Sequence, residues 1–174
     1  MLKFAGMTTE EATHLWNGGS DAHGNLPERA ISDGHGNPCR HCLQMIEEGD
    51  AFLVFSYRPF NATHPYAEQG PVFLHAEPCQ AFGPESAEDR NLPPVLEDSP
   101  RYLLRGYDGN ERIVYGSGTI AETDQLRETA DQLLKQDKIT FVHVRSATNN
   151  CWQARIDPAD EVSSGRIQPR QIGQ

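Results

Sequence analysis

The sequence has no long apolar run. None of its apolar segments approaches the roughly 20 residues that a membrane-spanning helix needs. The opening stretch, MLKFAGMTTEEATHLW, also lacks the continuous apolar core of a secretory signal. We therefore expect a cytoplasmic protein that has no membrane partner.

Basic residues are few. The chain of 174 residues has 15 Lys and Arg against 25 Asp and Glu, which gives a formal net charge of −10. No cluster of Lys and Arg is longer than a pair. A surface of this charge repels phosphate backbones, so we expect no nucleic-acid partner. The expected partner is a small molecule or another protein.

Cysteine is scarce, with four residues in the chain. In a reducing cytoplasm these are expected to be thiols, metal ligands or redox groups rather than structural disulfides. Two of them form a Cys-x-x-Cys pair, and a third forms a second close pair with a histidine. Two close pairs of sulfur and nitrogen ligands are typical of a tetrahedral zinc site. The sequence predicts a structural zinc ion, with no open position for water, held by Cys39, Cys42, His75 and Cys79.

Residues 39–79 resemble a treble-clef zinc finger, although the stretch QAFGP after Cys79 makes a poor helix. Three other interpretations stay open. Cys39 and Cys42 could form a thioredoxin-like redox site, but the preceding SDGHGNP is not the buried strand that such a site follows. The cysteines could be small buried residues near a turn. A metal site could also use His35 and His41.

The apolar pattern predicts both helices and strands. Thr8 and Glu11 form a capping-box pattern, which predicts a short helix at 9–16 and then a long polar loop to residue 38. A turn of sequence Asp-Gly-Asn after residue 107 predicts a hairpin between the strands on either side of it. Strands are predicted at 51–57, 71–75, 101–107, 111–118, 139–145 and 151–156.

The segment TIAETDQLRETADQLLKQ predicts one long amphipathic helix, because its leucines recur at helical spacing and Thr119 and Glu122 form a second capping-box pattern. The predicted fold class is α+β, with a mainly antiparallel sheet, this helix packed on it and a zinc-knuckle-like segment. One domain is expected over 1–157, followed by a loose tail at 158–174. Its parts are a helix and loop at 1–38, the zinc-type segment at 39–79, and the sheet and helix at 101–157.

A second group of polar residues joins the last two predicted strands. His143 and Arg145 stand on one strand face, and the turn after them adds hydroxyls, amides and a thiol. Such a set predicts a small-molecule or anion pocket in which Arg145 offers its guanidinium fork to a carboxylate or phosphate. The alternatives are ordinary turn chemistry and a Cys151 nucleophile activated by His143. The predicted ligand-binding residues are His143, Arg145, Asn149, Asn150 and Cys151.

Four segments together resemble a known family. PCRHCL, GPVFLHAEPC, YLLRGYD and HVRSATNNCWQARI are similar, in order and spacing, to the bacterial family described as domain of unknown function 1203. The resemblance covers roughly residues 38–157. It implies a small cytosolic bacterial protein of α+β type, and the family carries no established activity.

The function that we expect from the sequence is therefore a ligand- or protein-binding domain with a structural zinc. The alternative from another class is a small enzyme with Cys151 as nucleophile, His143 as base and Arg145 as substrate anchor. A third interpretation is a thiol redox protein that uses Cys39 and Cys42.

Overall fold

The computed structural model describes residues 2–83 and 92–159. Its strands form a five-stranded sheet in the order β1-β8-β7-β5-β6 and a three-stranded sheet in the order β2-β3-β4. All pairings between these strands are antiparallel, so the predicted α+β class is confirmed. In chain order the elements are β1 (Leu2–Ala5), α1 (Thr9–Trp16), β2 (Glu28–Ile31), β3 (Ala51–Tyr57), β4 (Gly70–His75), β5 (Arg101–Tyr107), β6 (Thr119–Glu122), α2 (Leu126–Leu134), β7 (Phe141–Ser146) and β8 (Trp152–Pro158).

The five-stranded sheet has an apolar face covered by α2. Val142 and Val144 of β7 lie in one buried cluster with Leu126 and Ala130 of α2. Because side chains alternate along a strand, the intervening residues of β7 lie on the opposite face, away from α2. That second face carries most of the polar residues that the sequence singled out.

The three-stranded sheet encloses a second buried cluster with α1. Phe52 and Leu74 of the sheet pack in this cluster with Leu15 of α1. The predicted capping box at the start of α1 is present: the Thr8 amide donates to Glu11 Oε2 at 2.8 Å, and the Glu11 amide donates to Thr8 Oγ1 at 3.2 Å. These bonds use two amides that would otherwise lack partners at the helix start.

The helix predicted from residue 119 begins later than expected. Thr119–Glu122 is strand β6, which pairs with β5, and a single 3-10 turn then leads into the nine residues of α2. The second capping box therefore does not form. The β-branched Thr119 and Ile120 suit a strand, and hydrogen bonding to β5 outweighs the helical pattern of the sequence.

The strand predicted at 111–118 was wrong in extent, because this segment is irregular apart from one antiparallel bridge between Ile113 and Tyr107. Glu111 has a φ of 61°, which a strand does not accommodate. Its carboxylate accepts a hydrogen bond from the Asn61 amide at 2.9 Å and lies 3.2 Å from His64 Nε2, so the loop is fixed to the segment after β3. The predicted Asp-Gly-Asn turn is present, since the Asp108 amide donates to the Arg112 carbonyl at 2.9 Å and the Val114 amide to the Gly106 carbonyl at 2.9 Å, but the strand that pairs along β5 is β6.

Two short strands escaped the sequence analysis. β1 pairs with β8, and β2, which lies inside the predicted polar loop, pairs with β3. Of the tail predicted at 158–174, Pro158 ends β8, and residues 160–174 lie outside the described part of the chain. The single domain over 1–157 stays a prediction. Within the described ranges, neither helix is long and apolar enough to cross a membrane.

Candidate metal centre and neighbouring cavities

The Cys-x-x-Cys segment forms a tight knuckle on the edge of β4. The Leu43 amide donates to the Cys39 carbonyl at 3.1 Å, and Leu43 takes a positive φ of 54° that reverses the chain. The Arg40 amide donates to the Phe73 carbonyl at 2.9 Å. The knuckle is therefore fixed beside the strand that ends at His75.

The four predicted ligand residues meet at one point. The ligand atoms of Cys39, Cys42, His75 and Cys79 all lie within 4.8 Å of one another. Cys39 Sγ lies 3.8 Å from Cys79 Sγ, and Cys42 Sγ lies 3.6 Å from His75 Nδ1. The two cysteines of the knuckle are buried, while His75 and Cys79 are half-buried. This group could hold a metal ion.

Two of the six separations between ligand atoms match those of a regular tetrahedral zinc site, and all six lie within 4.8 Å. With Zn–S bonds of about 2.3 Å and Zn–N bonds of about 2.0 Å, a regular tetrahedron places two sulfurs about 3.8 Å apart. The same bond lengths place a sulfur and a nitrogen about 3.5 Å apart. The observed separations of 3.8 and 3.6 Å match both values. Three sulfurs and one imidazole are also a donor set that suits zinc.

Hydrogen bonds among the four side chains shift the pKa values of Cys39, His75 and Cys79. Hydrogen bonds from the thiols of Cys42 and Cys79 lower the pKa of Cys39, which favours its thiolate form. Hydrogen bonding to Cys39 and Cys42 raises the pKa of His75 to about 10. Hydrogen bonding to the same two cysteines also raises the pKa of Cys79. A bound metal would displace these shared protons, since metal ligation requires thiolates and a neutral imidazole.

His41 is a neighbour of the centre whose place the sequence did not reveal. It is 1% exposed, and of the solvated or outer-shell roles that a position between two cysteines suits, the geometry fits the outer-shell role. Its Nδ1 lies 3.3 Å from Cys79 Sγ, and its Nε2 lies 3.0 Å from Thr9 Oγ1. The ring therefore connects the sulfur of Cys79 to the start of α1, and burial lowers the pKa of His41.

The competing interpretations of the cysteines receive less support. His35 lies in an exposed turn outside the cluster, where its amide bonds Asp33 Oδ1 at 3.0 Å. Cys39 forms a single β-bridge with Phe73 and faces Cys79 across the centre, and no helix begins at the knuckle as a thioredoxin-like site requires. Residues 80–83 after Cys79 are not helical, which is the expected departure from a treble clef.

Four of the five predicted ligand-binding residues line a common cavity. This cavity has a volume of about 400 Å³ and lies between the end of β7 and the start of β4. It is called the Arg145 cavity below, and its lining includes Arg145, Asn149, Asn150 and Cys151. The structure thus brings these residues together at the turn between β7 and β8.

His143 does not join them. It is completely buried, and four aromatic rings surround it with centroids 4.8 to 5.9 Å from its own, those of Phe60, Tyr107, Phe141 and Trp152. Neither ring nitrogen of His143 has a hydrogen-bond partner. The Cys151 thiol donates to the Asn149 carbonyl at 3.7 Å, so the structure shows no Cys151–His143 pair. The geometry gives the enzyme alternative no activated nucleophile.

The guanidinium of Arg145 is only partly occupied, because its buried Nε has no hydrogen-bond partner in the described part of the chain. Its Nη2 lies 2.8 Å from Glu68 Oε2, and its Nη1 donates to the Asn150 carbonyl at 3.1 Å. Glu68 also accepts two hydrogen bonds from Arg105, at 2.9 and 2.8 Å. The sequence analysis missed Glu68, because it lies in the long connection between β3 and β4, far from β7 in the chain.

Arg40 is the second residue that the sequence analysis missed. It is 2% exposed and lies close to the turn after β7, because its Nε donates to the Trp152 carbonyl at 2.6 Å. It lines another cavity of about 400 Å³ together with Cys151 and Asn149, called the Arg40 cavity below. The local sequence does not mark it, because its burial depends on packing against the turn after β7, which is distant in the chain.

Fold and site together define an α+β protein with two antiparallel sheets and a Cys₃His group that could hold a metal ion. The profile of the family described as protein of unknown function (DUF1203) matches residues 36–157, and the chain belongs to this family. The resemblance seen in the sequence is thereby confirmed, and the bacterial origin that it implied stays a prediction. Searches of curated proteins and of solved structures found no match.

Proposed function

We propose that the protein is a small-ligand-binding domain whose knuckle is held by a structural zinc ion. The observation that supports the zinc most strongly is the convergence of Cys39, Cys42, His75 and Cys79, whose ligand atoms lie within 4.8 Å of one another. Zinc fits because thiolates and imidazole select it over magnesium or calcium, which prefer oxygen ligands.

The ion would act as a cross-link. Cys39 and Cys42 would hold it from the knuckle, His75 from the end of β4, and Cys79 from the segment beyond. Four protein ligands fill a tetrahedral shell, so the ion would stabilise the fold rather than activate water. The free energy of zinc binding would add to the stability of the folded state.

The ligand would bind at the turn between β7 and β8. Two cavities meet at this turn, and both are lined by Asn149 and Cys151. Each has about 400 Å³, within the range of about 300–1,000 Å³ that small-molecule sites occupy. A cytoplasmic location belongs to the proposal, because a reducing compartment keeps the three ligand thiols, Cys39, Cys42 and Cys79, available for metal.

Metal analysis of protein purified without chelator tests the zinc. We expect about one zinc per chain, because four ligands saturate one tetrahedral ion. Cys79→Ser should lose the metal and lower the melting temperature. Cys151→Ser is the matched control, since Cys151 lies outside the group. This variant should keep the metal and the wild-type melting temperature. Zinc-free wild-type protein, or full zinc occupancy in Cys79→Ser, would refute the centre.

A further inference from the structure

Arg40 is a buried cation with no acidic partner. The side chain is 2% exposed, yet no carboxylate within the described ranges forms an ion pair with it. A charge in the interior normally needs an opposite charge, since desolvating an ion costs several kcal/mol even after relaxation. No ion pair among the described residues therefore balances the charge of Arg40, although Asp98 lines the same cavity beyond ion-pair distance.

The hydrogen bonds of Arg40 leave one nitrogen without a partner. Nε donates to the Trp152 carbonyl at 2.6 Å, and Nη1 donates to the Pro38 carbonyl at 2.7 Å. Nη2 has no hydrogen-bond partner in the described part of the chain. The two carbonyl oxygens accept hydrogen bonds from Arg40 but do not balance its positive charge. The charge and the Nη2 donor of Arg40 are therefore available to a ligand.

The Arg40 cavity has the chemistry of a site for a small organic acid. Beside the guanidinium it carries polar side chains from β7, from the turn after it and from β8, which include Ser146, Thr148 and Gln153. Another part of its wall is apolar and includes Phe73 and Val95. A polar end with a cation and an apolar wall suits a molecule with one charged group and a hydrocarbon body.

The charge of the metal centre offers a competing explanation. Three thiolates around one divalent ion carry a net negative charge, and the Cys39 sulfur does interact with the charge of Arg40. However, no hydrogen bond joins Arg40 to a sulfur, and both of its bonded nitrogens face carbonyl oxygens. Arg40 is therefore directed toward the turn and its cavity.

We propose that the Arg40 cavity binds the carboxylate of a small organic monoacid, with Arg40 as the charged partner and Thr148 at the rim. This inference rests on the proposed ligand-binding function and names its ligand class and its cavity. A single negative charge fits best, because one guanidinium lies there and Asp98 also lines the wall. A dianion such as phosphate would face that carboxylate with one cation to balance it.

The test uses acetate, hexanoate and benzoate as probes, with benzamide as the uncharged match of benzoate and inorganic phosphate as the alternative anion. Binding is measured by calorimetry and by the protection of Cys151 from iodoacetamide. We expect benzoate to bind at least about tenfold more tightly than benzamide, because a charged hydrogen bond is replaced by a neutral one. Hexanoate should bind more tightly than acetate, and phosphate should bind more weakly than benzoate.

Two tryptophan substitutions distinguish the cavities. Thr148→Trp places a large ring in the Arg40 cavity, and Gln69→Trp, also at an exposed position, places one in the Arg145 cavity. We expect Thr148→Trp to abolish benzoate binding and Gln69→Trp to preserve it. Arg40→Gln should abolish benzoate binding too. If Arg40→Gln fails to fold, Thr148→Trp alone tests whether the Arg40 cavity holds the carboxylate.

The outcomes separate this inference from the proposed function. Loss of benzoate binding only in Gln69→Trp would overturn the Arg40 site and keep a binding function at the Arg145 cavity. Absence of carboxylate binding, or a preference for phosphate, would overturn the inference whatever the zinc content. Zinc content measured on the same samples reports on the metal centre alone.

Discussion

His143 should make the folded state sensitive to mild acid. Burial lowers its pKa well below the ordinary value, and the positive charges of Arg145, Arg155 and Arg105 lower it further. Its imidazole is therefore neutral in the fold, while in the unfolded chain it titrates near 6.5. Unfolding below that pH takes up a proton, so stability is full above about pH 6.5 and falls as the pH decreases.

The magnitude follows from linkage. One proton taken up on unfolding changes the free energy of unfolding by about 1.36 kcal/mol per pH unit once the pH is below the unfolded pKa. Between pH 7.5 and 5.0 the contribution of His143 therefore amounts to about 2 kcal/mol. That amount is a substantial part of the roughly 5–15 kcal/mol by which domains are stable.

Urea unfolding of the wild type and of His143→Phe at several pH values measures this contribution. Phenylalanine keeps a planar ring among the aromatic neighbours and has no proton to exchange. Other titrations, those of the metal centre included, are common to both proteins and cancel in the difference. We expect wild-type stability to fall relative to His143→Phe by about 2 kcal/mol from pH 7.5 to 5.0. Parallel profiles, with a difference that does not change with pH, would refute a buried neutral His143.

Three further predictions follow from the structure. His41→Ala should weaken zinc binding about 10–100-fold, as the loss of an outer-shell partner does, because the ring contacts Cys79. Competition with a chromogenic chelator measures the zinc affinity, and an unchanged affinity would contradict the contact. His143→Phe should leave iodoacetamide labelling of Cys151 within about twofold of wild type, because the two side chains form no pair; a large drop would restore the nucleophile hypothesis. Thr8→Ala should cost about 1 kcal/mol in urea unfolding, because it removes the cap of α1; a cost near zero would contradict the capping geometry.

Local patterns predicted what depends on neighbours in the sequence. The capping box at Thr8 and the apolar runs of β3 and β4 are such features, and the structure has them. The Cys₃His group was predicted because its residues form two close pairs in the sequence, and the pairing of β3 with β4 brings His75 back to the knuckle. The absence of a nucleic-acid partner stays a prediction from charge.

Features that depend on contacts between residues far apart in the chain could not be predicted from local sequence patterns. Thr119–Glu122 became a strand because β5 lies beside it, which no helical periodicity reveals. Glu68 pairs with both Arg145 and Arg105 from the connection between β3 and β4. A β-bulge after Val144 places Trp152 opposite Arg145, and the sequence gives no signal for that bulge. Tertiary packing thus decided which polar residues share a cavity.

The central claim is that Cys39, Cys42, His75 and Cys79 hold one zinc ion. X-ray absorption at the zinc edge of the purified protein tests it most directly, because it counts the ligands and gives their distances. The account predicts three sulfurs at about 2.3 Å and one nitrogen at about 2.0 Å, with no water in the shell. A shell of oxygen and nitrogen ligands with fewer than three sulfurs would contradict it.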